Sequence, residues 1–396
     1  MTEPAAAPVV AVWRSWWLPP SETFIRDHVR HLTRWQPLLL GLGRRGTALG
    51  VTPHFAPFPD SRGGRLLERA SHQTGYLGVY DHTLRTARPR LLHAHFGTDA
   101  TRTLPIVRRH ALPLIVTFHG YDVMLAPYRD PTGKYGARLT EVFDRAHTLL
   151  PVSDFLAERL LALGAPAHKV RTHALGIPVP RTLAPVGGER AGITFVGRLV
   201  SVKGVADLLH AVALLPATLR QQTPVTIIGD GPERRALEAQ SSTIPDADIR
   251  FLGFRSSEEV AACLERSRVF AAPARTLPDG LAEAYGLVYL EAARAGLPVA
   301  AYASGGVPSA VLDGTTGLLA PEGDVAALSA NLSRLLTDDD LAHRLGAAGQ
   351  ARVAGELDVS VRTGLLESLY DEVAAPSTRG LAGRLARQQG ASLISE

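Results

Sequence analysis

Two carboxylates near residue 285 are the first candidates for chemistry in this sequence. Glu283 and Glu291 are eight positions apart, and Gly286 lies between them. The apolar run from Leu287 predicts a helix that contains Glu291, whereas Glu283 falls in a polar loop. A loop carboxylate, the free N–H groups of a helix start and a second carboxylate two turns later can hold sugar, phosphate and ribose. The alternative is that one Glu lies in a loop and the other on a helix surface, with no shared function. For an isolated pair at this spacing the alternative is favoured, because Glu is a common residue.

Two cations stand near another predicted helix start upstream. Arg198 and Lys203 flank the turn that follows the predicted strand Ile193–Val196. Cations at the carboxyl end of a strand, beside a helix N-terminus, are suited to a pyrophosphate. The alternative is two solvated surface charges, which this position at a strand end disfavours.

Glycine-containing turns follow the next two predicted strands. Gly229 and Gly231 let the backbone approach a ligand, and Pro232 is predicted at the first helical position. Gly253 leaves room for the backbone to contact a base edge, with Phe254 packed nearby. A buried strand end is the equal alternative for Phe254. The neighbouring cations make a nucleotide role for these turns plausible.

The first half of the chain offers a histidine and an aromatic loop. His119 is followed by Gly120 at the end of a predicted strand, so we expect its ring to face a cleft rather than to cap a turn. Trp17, Ser21 and Glu22 lie in the loop after the first predicted strand, and Ser21 is predicted to cap the next helix. This loop is suited to stacking on a sugar or a lipid-linked acceptor, although Trp17 fits a core equally well.

Three further patterns are discounted. The G-x-G-x-x-G match at Gly41–Gly46 lacks both a following helix and an acid about 20 residues later, so we interpret it as a turn. The D-x-D within Asp338–Asp340 falls at a predicted helix start, where acids stabilise the helix dipole. His93 and His95 have no third ligand at zinc spacing, so we interpret them as core or cleft histidines and predict no metal site.

These residues must be positioned by an alternation of strands and helices that runs along the whole chain, which predicts parallel α/β sheets. The predicted strands are Val9–Trp13, Pro37–Leu42, Leu91–Phe96, Leu114–Phe118, Thr148–Val152, Val170–Leu175, Ile193–Val196, Val225–Ile228, Ile249–Leu252, Val269–Ala272 and Val299–Tyr302. The predicted helices are Glu22–Trp35, Arg65–Thr86, Thr98–His110, Tyr135–Arg145, Asp154–Leu163, Lys203–Leu215, Glu233–Ser241, Ser257–Arg266, Leu287–Ala295 and Val325–Leu336. The Pro/Gly-rich stretch 176–188 is the best linker candidate, so two doubly wound units with a cleft between them are expected.

Composition narrows the class of protein. The 396 residues suit two domains, and 45% hydrophobic with 20% charged residues is ordinary for a globular chain. Cys263 is the single cysteine, which excludes a disulfide framework, and no Lys/Arg cluster is interleaved with aromatics as nucleic-acid binding requires. No signal peptide or membrane-spanning run is recognisable, so a cytoplasmic protein is expected. The basic tail Arg379–Arg387 is interpreted as disordered, with weak contact to the inner membrane face as the alternative.

In their order and spacing, these motifs resemble those of the retaining glycosyltransferases of family 4, which have the GT-B fold. The resemblance covers most of the chain and rests on the segments Gly197–Gly204, Gly229–Pro232, Glu283–Ala292 with Gly296–Val299, and, for the exopolysaccharide-type branch, His119–Asp122 and Ser21–Ile25. It implies two Rossmann-like domains that face each other across a cleft. The acceptor-side domain would span 1–178, joined by a C-terminal helix within 361–396, and the nucleotide-sugar domain would span 179–360.

The resemblance also implies residue roles. Arg198 and Lys203 would hold the donor diphosphate, Glu291 the ribose and Glu283 the transferred sugar, with His119 beside the sugar and the attacking oxygen. Backbone N–H groups at Gly286, Leu287 and Val288 would bind phosphate, with Gly229 and Phe254 also on the donor side. Trp17, Ser21, Glu22 and Asp122 would lie on the acceptor side. Many relatives carry a Gly-Gly-x-Glu loop after the first strand, where this chain has Trp16–Glu22 instead.

The hypothesis is therefore transfer of a hexose from a UDP- or GDP-sugar to an acceptor hydroxyl with retention, in polysaccharide, glycolipid or glycosylated-metabolite biosynthesis. The acceptor would be a sugar, a lipid-linked molecule or a small metabolite, and no cofactor or essential metal is expected because cations and a helix N-terminus stabilise the leaving group. A sugar-nucleotide epimerase of the same architecture and a non-catalytic nucleotide-sugar-binding protein are the alternatives. A Rossmann oxidoreductase is disfavoured because the fingerprint context is missing.

Overall fold

The computed structural model describes residues 6–19, 21–44, 49–74, 78–127, 129–130 and 132–375. Its strands are β1 (Val9–Trp13), β2 (Trp16–Trp17), β3 (Gln36–Leu40), β4 (Gly43–Arg44), β5 (Leu91–His95), β6 (Leu114–Phe118), β7 (Thr148–Pro151), β8 (Ile193–Val196), β9 (Val225–Ile228), β10 (Ile249–Gly253), β11 (Val269–Ala271), β12 (Val299–Tyr302) and β13 (Gly317–Ala320). The tail at 379–387, interpreted from sequence as disordered with membrane contact as the alternative, lies outside these residues.

Helices connect and cover the strands. They are α1 (Thr23–Arg30), α2 (Arg62–Thr74), α3 (Asp81–Ala87), α4 (Gly97–His110), α5 (Tyr121–Met124), α6 (Lys134–Arg145), α7 (Asp154–Ala162), α8 (Val205–Ala213), α9 (Ala217–Gln222), α10 (Arg234–Ser241), α11 (Ser257–Arg266), α12 (Leu287–Arg294), α13 (Val307–Ala310), α14 (Val325–Thr337), α15 (Asp339–Gly355) and α16 (Val359–Ala374). No described helix has the length and apolar character needed to cross a bilayer.

The strands form two large parallel sheets, as the alternating pattern predicts. The first has the order β3-β1-β5-β6-β7 and the second the order β10-β9-β8-β11-β12-β13. In both sheets the strand order changes direction next to the first strand of the unit, and all large-sheet pairs are parallel. The carboxyl ends therefore share one edge in each sheet, where open α/β folds bind ligands. The predicted α/β class with two doubly wound units is confirmed.

Several predicted boundaries are wrong for local reasons. Val170–Leu175 is not a strand, since Val170 makes only an isolated bridge to Leu149. Helix α8 begins at Val205 and not at Lys203, because Gly204 adopts a φ of +68° and lies where a Cβ would be 1.8 Å from the carbonyl oxygen of Pro273. The prediction at Arg65–Thr86 merged two helices, α2 and α3, that the 3₁₀ turn Gly78–Tyr80 separates. Strand β13 had not been predicted, and of the long helix α15 only the start at Asp338–Asp340 had been predicted.

The last helix, α16, returns to the first sheet. Leu366, Leu369 and Tyr370 pack with Val10 and Val12 of β1 in one buried cluster. The chain entering the helix pairs with the predicted linker, since the N–H of Ile177 donates to the carbonyl oxygen of Leu357 at 3.0 Å. Residues that are far apart in sequence thus form the rear wall of the first unit.

Glu367 anchors α16 to the first unit through a single buried carboxylate. Its Oε1 accepts the backbone N–H groups of Thr33 at 2.8 Å, Arg34 at 2.6 Å and Trp35 at 3.0 Å. Burial alone would raise the pKa of Glu367, but these N–H donors outweigh it and hold the pKa below its usual value.

We expect Glu367→Gln to lower the free energy of unfolding by about 2–3 kcal/mol at pH 7, since the amide carries no charge for the three N–H groups. Because the folded-state pKa is depressed, this contribution is complete above an unfolded pKa of about 4.3 and disappears as pH falls through the folded value. Thermal unfolding of both proteins at pH 7 and pH 3.5 measures it. Glu372→Gln on the same helix removes only an exposed pair with Arg171 and should cost less than about 1 kcal/mol. Equal losses in the two variants would contradict the anchor.

Candidate functional site

The donor-side residues predicted from sequence converge at the carboxyl edge of the second sheet. Lys203 lies in the 3₁₀ turn after β8, and its Nζ contacts Oε2 of Glu283 in an ion pair. The other carboxylate oxygen of Glu283 accepts the N–H of Ala284 at 3.1 Å. Both side chains are largely buried, so this pair is a fixed element of the site.

Gly286 forms the start of helix α12 and could not be replaced there by a larger residue. Its φ is +85°, and a Cβ would lie 2.4 Å from the ring of Tyr289. The same position is 3.5 Å from Cδ of Glu283, so the carboxylate lies beside the helix N-terminus. Leu287 and Val288 follow in the first turn, where their N–H groups lack helical acceptors.

Glu291 lies one turn further along α12. It is partly buried, and burial raises the pKa of its carboxyl group while the Arg294 charge opposes the rise. The described residues provide it with no ion-pair partner, which leaves the carboxylate available for a hydroxyl-bearing ligand.

The turns after β8 and β9 are locked together by backbone contacts. Gly229 has a φ of +132°, and a Cβ there would lie 1.9 Å from the carbonyl oxygen of Gly197. The N–H of Leu199 donates to the carbonyl oxygen of Asp230 at 3.0 Å. Arg198, between these contacts, is exposed and has no ion-pair partner within the described ranges. Helix α10 starts only at Arg234, so the predicted place of Pro232 at the first helical position is wrong.

The first sheet contributes His119, which the structure brings next to the donor edge. Gly120 follows with a φ of +126°, and a Cβ on it would be 2.8 Å from Cβ of Ala284. The residue after His119 thus touches the residue after Glu283. The two units meet at this point, and the histidine, Glu283 and Lys203 surround one edge of the cleft.

Asp122 organises the His119 turn from beneath. It is fully buried and accepts the N–H groups of Gly97 at 2.8 Å, Gly120 at 2.8 Å and His119 at 3.2 Å. Burial raises the pKa of Asp122 to about 6, against the lowering effect of these backbone donors. A carboxylate in this position holds the loop and does not reach an acceptor, so the predicted acceptor-side role of Asp122 is not supported by its placement.

The loop after β1 differs from its prediction at two residues. Trp17 is 1% exposed and its Nε1 donates to the carbonyl oxygen of Leu40 at 2.8 Å, so it belongs to the core and not to the acceptor side. Ser21 does not cap a helix, because α1 starts at Thr23 with Glu22 at its N-cap and no side-chain capping bond. Ser21 itself is exposed. Both predictions were wrong for the same reason. A pair of Trp residues can lie in a core or in a binding loop, and a Ser before a helix can cap it or face solvent, so the sequence pattern does not distinguish these placements.

Glu22 is part of a buried charge network. Its carboxylate accepts two hydrogen bonds from Arg14, at 2.6 and 2.7 Å, and Arg14 also bonds Asp99 at 2.7 Å. The guanidinium lies 4.6 Å from the centroid of Phe96, whose ring is 4.6 Å from that of His119. Phe96 has a φ of +70°, a strained backbone for a residue with a side chain, of the kind that concentrates at functional sites.

The structure also decides the interpretation of Phe254 and of two patterns that were discounted from sequence. Phe254 is 83% exposed, so the alternative of a buried strand end is wrong and its ring is free to contact a ligand. Asp338 accepts the N–H of Leu341 at 2.9 Å as the N-cap of α15, which confirms the capping interpretation of the D-x-D pattern. At Gly41–Gly46, the described part forms the short strand Gly43–Arg44 and not a helix start.

A histidine cluster behind the site is the feature that sequence reasoning missed. His28 of α1 approaches His93 and His95 so that ring nitrogens of all three lie within 4.8 Å of one another. A third histidine at this position had not been predicted, because it is 65 residues from His93 in sequence. Each ring nitrogen of the three already has a hydrogen-bond partner within the protein. The alternation of His93 and His95 on one face of β5 was the available signal.

A cleft of about 970 Å³ opens in the first unit between residues of α4, α5 and α6. Tyr121, which is 53% exposed, forms part of its wall. The charged residues that line it are Arg102, Arg129, Lys134, Arg138 and Asp130. Arg129 also bonds Asp279 of the second unit at 2.8 Å, so one residue of the cleft wall touches the loop that precedes Glu283.

Two family models match the chain, one on each unit. Residues 21–181 match the model described as Glycosyltransferase Family 4, and residues 185–352 match the model described as Glycosyl transferases group 1. The junction between the matches falls in the predicted linker.

Curated relatives and solved structures give the same pattern. The amylovoran biosynthesis glycosyltransferase AmsK of Erwinia amylovora is 30% identical over 66% of this chain, which spans just under two thirds (64%) of that relative's own length. A GDP-mannose-dependent alpha-(1-6)-phosphatidylinositol monomannoside mannosyltransferase of Mycobacterium tuberculosis is 35% identical over 75% of this chain and 84% of its own. The crystal structure of Anabaena HepE in complex with UDP superimposes with a TM-score of 0.72 at 18% identity, covering 92% of this chain and all of HepE.

Proposed function

Because the chain belongs to glycosyltransferase family 4 and has the GT-B architecture, we propose that it transfers a hexose from a nucleoside diphosphate sugar to an acceptor hydroxyl, with retention at the anomeric carbon. The product would enter polysaccharide or glycolipid biosynthesis, in keeping with the names of its relatives. One observation carries the proposal: the Lys203–Glu283 pair lies at the point where the His119 turn meets the second unit.

The donor would lie along the edge of the second sheet. Glu291 would accept the ribose hydroxyls, Arg198 and the N-terminus of α12 would face the diphosphate, and Phe254 would lie near the base. Lys203, which pairs with Glu283, would exchange part of that contact for a phosphate oxygen when the donor binds. This arrangement concentrates positive potential where the leaving group develops charge. It supplies that charge without a metal ion, so we propose that no divalent cation is required.

Chemistry would occur on one face of the sugar. The acceptor oxygen bonds to the anomeric carbon as the bond from that carbon to the β-phosphate oxygen breaks, and the acceptor proton moves to the departing phosphate oxygen. The carboxylate proposed to lie beside the transferred sugar is Glu283, which is already engaged with Lys203, while Glu291 is assigned to the ribose. Same-face attack is therefore favoured over a double displacement through an enzyme carboxylate.

The acceptor would enter through the cleft beside Tyr121. Four cations and one carboxylate line that cleft, and two of the cations, Arg102 and Arg129, are already paired with Glu68 and Asp279. Lys134 and Arg138 still outnumber Asp130, so an acceptor carrying phosphate or carboxylate groups fits the cleft better than a neutral sugar. Lipid-linked sugar diphosphates have this chemistry, and Tyr121 offers a ring on which a sugar can stack.

The experiment starts from a thermal-shift screen of UDP-, GDP- and ADP-sugars. We expect one class to stabilise the protein, and release of the nucleoside diphosphate from that donor to rise when a lipid-linked sugar diphosphate is added. The product should retain the anomeric configuration by NMR, and turnover should persist in EDTA. Glu283→Gln serves as the inactive control that still folds.

Each rival function has its own outcome. Conversion of the donor to an isomer without any acceptor would identify an epimerase. Stabilisation by a nucleotide sugar with no turnover for any acceptor class would identify a binding protein. A product of inverted configuration would rule out the same-face mechanism.

A further inference from the structure

A chain of hydrogen bonds runs from β5 and α16 to the candidate catalytic histidine. Its members are contributed by β6, β5, α16 and α1, and all lie inside the first unit. In order they are Thr117, His93, Tyr370, His28, His95 and His119. None of these contacts involves the donor-side unit.

The first half of the chain is centred on the hydroxyl of Tyr370. His93 Nε2 lies 2.7 Å from Oγ1 of Thr117, and its Nδ1 lies 2.5 Å from the Tyr370 hydroxyl. The same hydroxyl lies 3.1 Å from Nε2 of His28. A neutral Tyr has one proton, so it donates to one imidazole and accepts from the other.

The second half passes through two imidazoles to the site. His28 Nδ1 lies 3.2 Å from Nε2 of His95, and His95 Nδ1 lies 3.1 Å from Nε2 of His119. The rings of His95 and His119 are stacked at 5.4 Å. The remaining nitrogen, Nδ1 of His119, is buried and has no hydrogen-bond partner among the described residues.

All four imidazoles are neutral at physiological pH. Burial lowers the pKa of His28 to about 4 and that of His119 to about 3, and it holds the pKa values of His93 and His95 well below their usual range. The charge of Arg14 lowers the pKa of His119 further. Each ring therefore has one N–H and one lone pair. Because each imidazole donates one hydrogen bond and accepts the other, all the hydrogen bonds in the chain are donated in a single direction, either toward Thr117 or toward His119.

Two observations decide the direction. Hydrogen bonds donated by O–H are shorter, roughly 2.7 Å, than those donated by N–H, roughly 2.9 Å, so Tyr370 donates across the 2.5 Å contact to His93 and accepts across the 3.1 Å contact from His28. Buried N–H groups without a partner are also rarer than buried acceptors without one. Both place a lone pair, not a proton, on Nδ1 of His119.

We propose that Tyr370, His28 and His95 are positioning residues that hold His119 as the neutral tautomer protonated on Nε2, with an unused lone pair on the buried Nδ1. When donor or acceptor binds, a hydroxyl that reaches this nitrogen would donate a hydrogen bond to it and be oriented by it. This role rests on the proposed transferase function. The tautomer itself does not depend on that function and can be measured without substrate.

The first measurement needs no substrate. In protein labelled with ¹⁵N-histidine, with His119→Asn used for assignment, we expect the His119 ring to show a protonated Nε2 and a bare Nδ1, unchanged from pH 6 to pH 8. A proton on Nδ1, or titration within this range, would overturn the proposal. If this measurement succeeds and no donor is turned over, the transferase function fails alone.

Tyr370→Phe tests control from the last helix. It leaves the Nε2–H of His28 without an acceptor, and reversal of the imidazoles would only transfer the unpaired N–H to Nδ1 of His119. The two directions therefore become comparable in energy, and we expect a fraction of His119 protonated on Nδ1, with kcat about tenfold lower and donor KM nearly unchanged. Tyr80→Phe is the matched control, because its buried hydroxyl bonds the carbonyl oxygen of Gly41 at 2.7 Å outside the chain. It should alter stability but neither the His119 signals nor kcat.

His95→Phe supplies a second route if Tyr370→Phe does not fold. It removes the direct acceptor of the His119 Nε2–H while keeping a ring, and we expect the same shift of the proton to Nδ1. Unchanged His119 signals together with kcat within twofold of wild type, in either folded variant, would contradict the proposal. One equivalent of zinc bound to the purified protein would also overturn it, because metal-bound nitrogens could not form this chain.

Discussion

Replacing Lys203 by alanine is expected to lower turnover at saturating donor by about 100-fold or more. Removing one preorganised charge or donor from a developing anion typically costs about 10²–10³ in kcat. In this structure Lys203 is the cation that pairs with Glu283 beside the start of α12, so its removal takes a positioned charge from that point. The measurement is release of nucleoside diphosphate under donor saturation, with the donor found in the thermal-shift screen.

Controls separate this loss from misfolding. Arg250→Ala removes an exposed cation of β10 whose ion pair among the described residues is with Asp248 at 2.6 Å, and it should leave turnover within twofold of wild type. Melting temperatures of both variants show whether the Lys203 protein remains folded. Turnover of Lys203→Ala within a factor of a few of wild type would refute the assignment of the diphosphate site.

Gly229→Ala is expected to destabilise the second unit by at least about 3 kcal/mol, or roughly 6–12 °C in melting temperature. The backbone at this position has a φ of +132°, which strains any residue with a side chain. A Cβ would also collide with the carbonyl oxygen of Gly197 at 1.9 Å, a backbone atom that cannot turn away as a side chain can. Relief requires the turns after β8 and β9 to separate, which would displace Arg198 and weaken nucleotide binding more than tenfold.

Gly323→Ala is the matched control. Gly323 has a φ of +81°, and a Cβ there would meet nothing within 4 Å. The Gly323→Ala variant therefore has backbone strain but no steric collision. Such strain costs about 1–2 kcal/mol in the left-handed region. Calorimetry and nucleotide titration on both variants provide the comparison, and equal effects would show that the contact between the two turns is unimportant.

The fold was largely predictable because its signal is local. Each parallel strand is a short apolar run, and each helix carries its own period, so the strands Val9–Trp13, Leu114–Phe118 and Ile193–Val196 were placed with their exact ends. The errors occurred where a glycine conformation or a 3₁₀ turn ended an element, as at Gly204. Where such an element ends depends on which backbone atoms of neighbouring segments pack against it in the folded protein.

The sequence by itself identified the residues proposed for the donor side, because they lie in three short contiguous segments: Arg198 to Lys203, Gly229 to Pro232 and Glu283 to Glu291. Tertiary structure alone decided what surrounds His119. Trp17 and Asp122 are buried and stabilise the loops around it. His28, His95 and Tyr370 lie next to one another although they are up to 342 residues apart in sequence. The reason is physical: a turn specifies its own geometry, whereas a buried polar group is explained only by the partner that satisfies it, and that partner is chosen by packing.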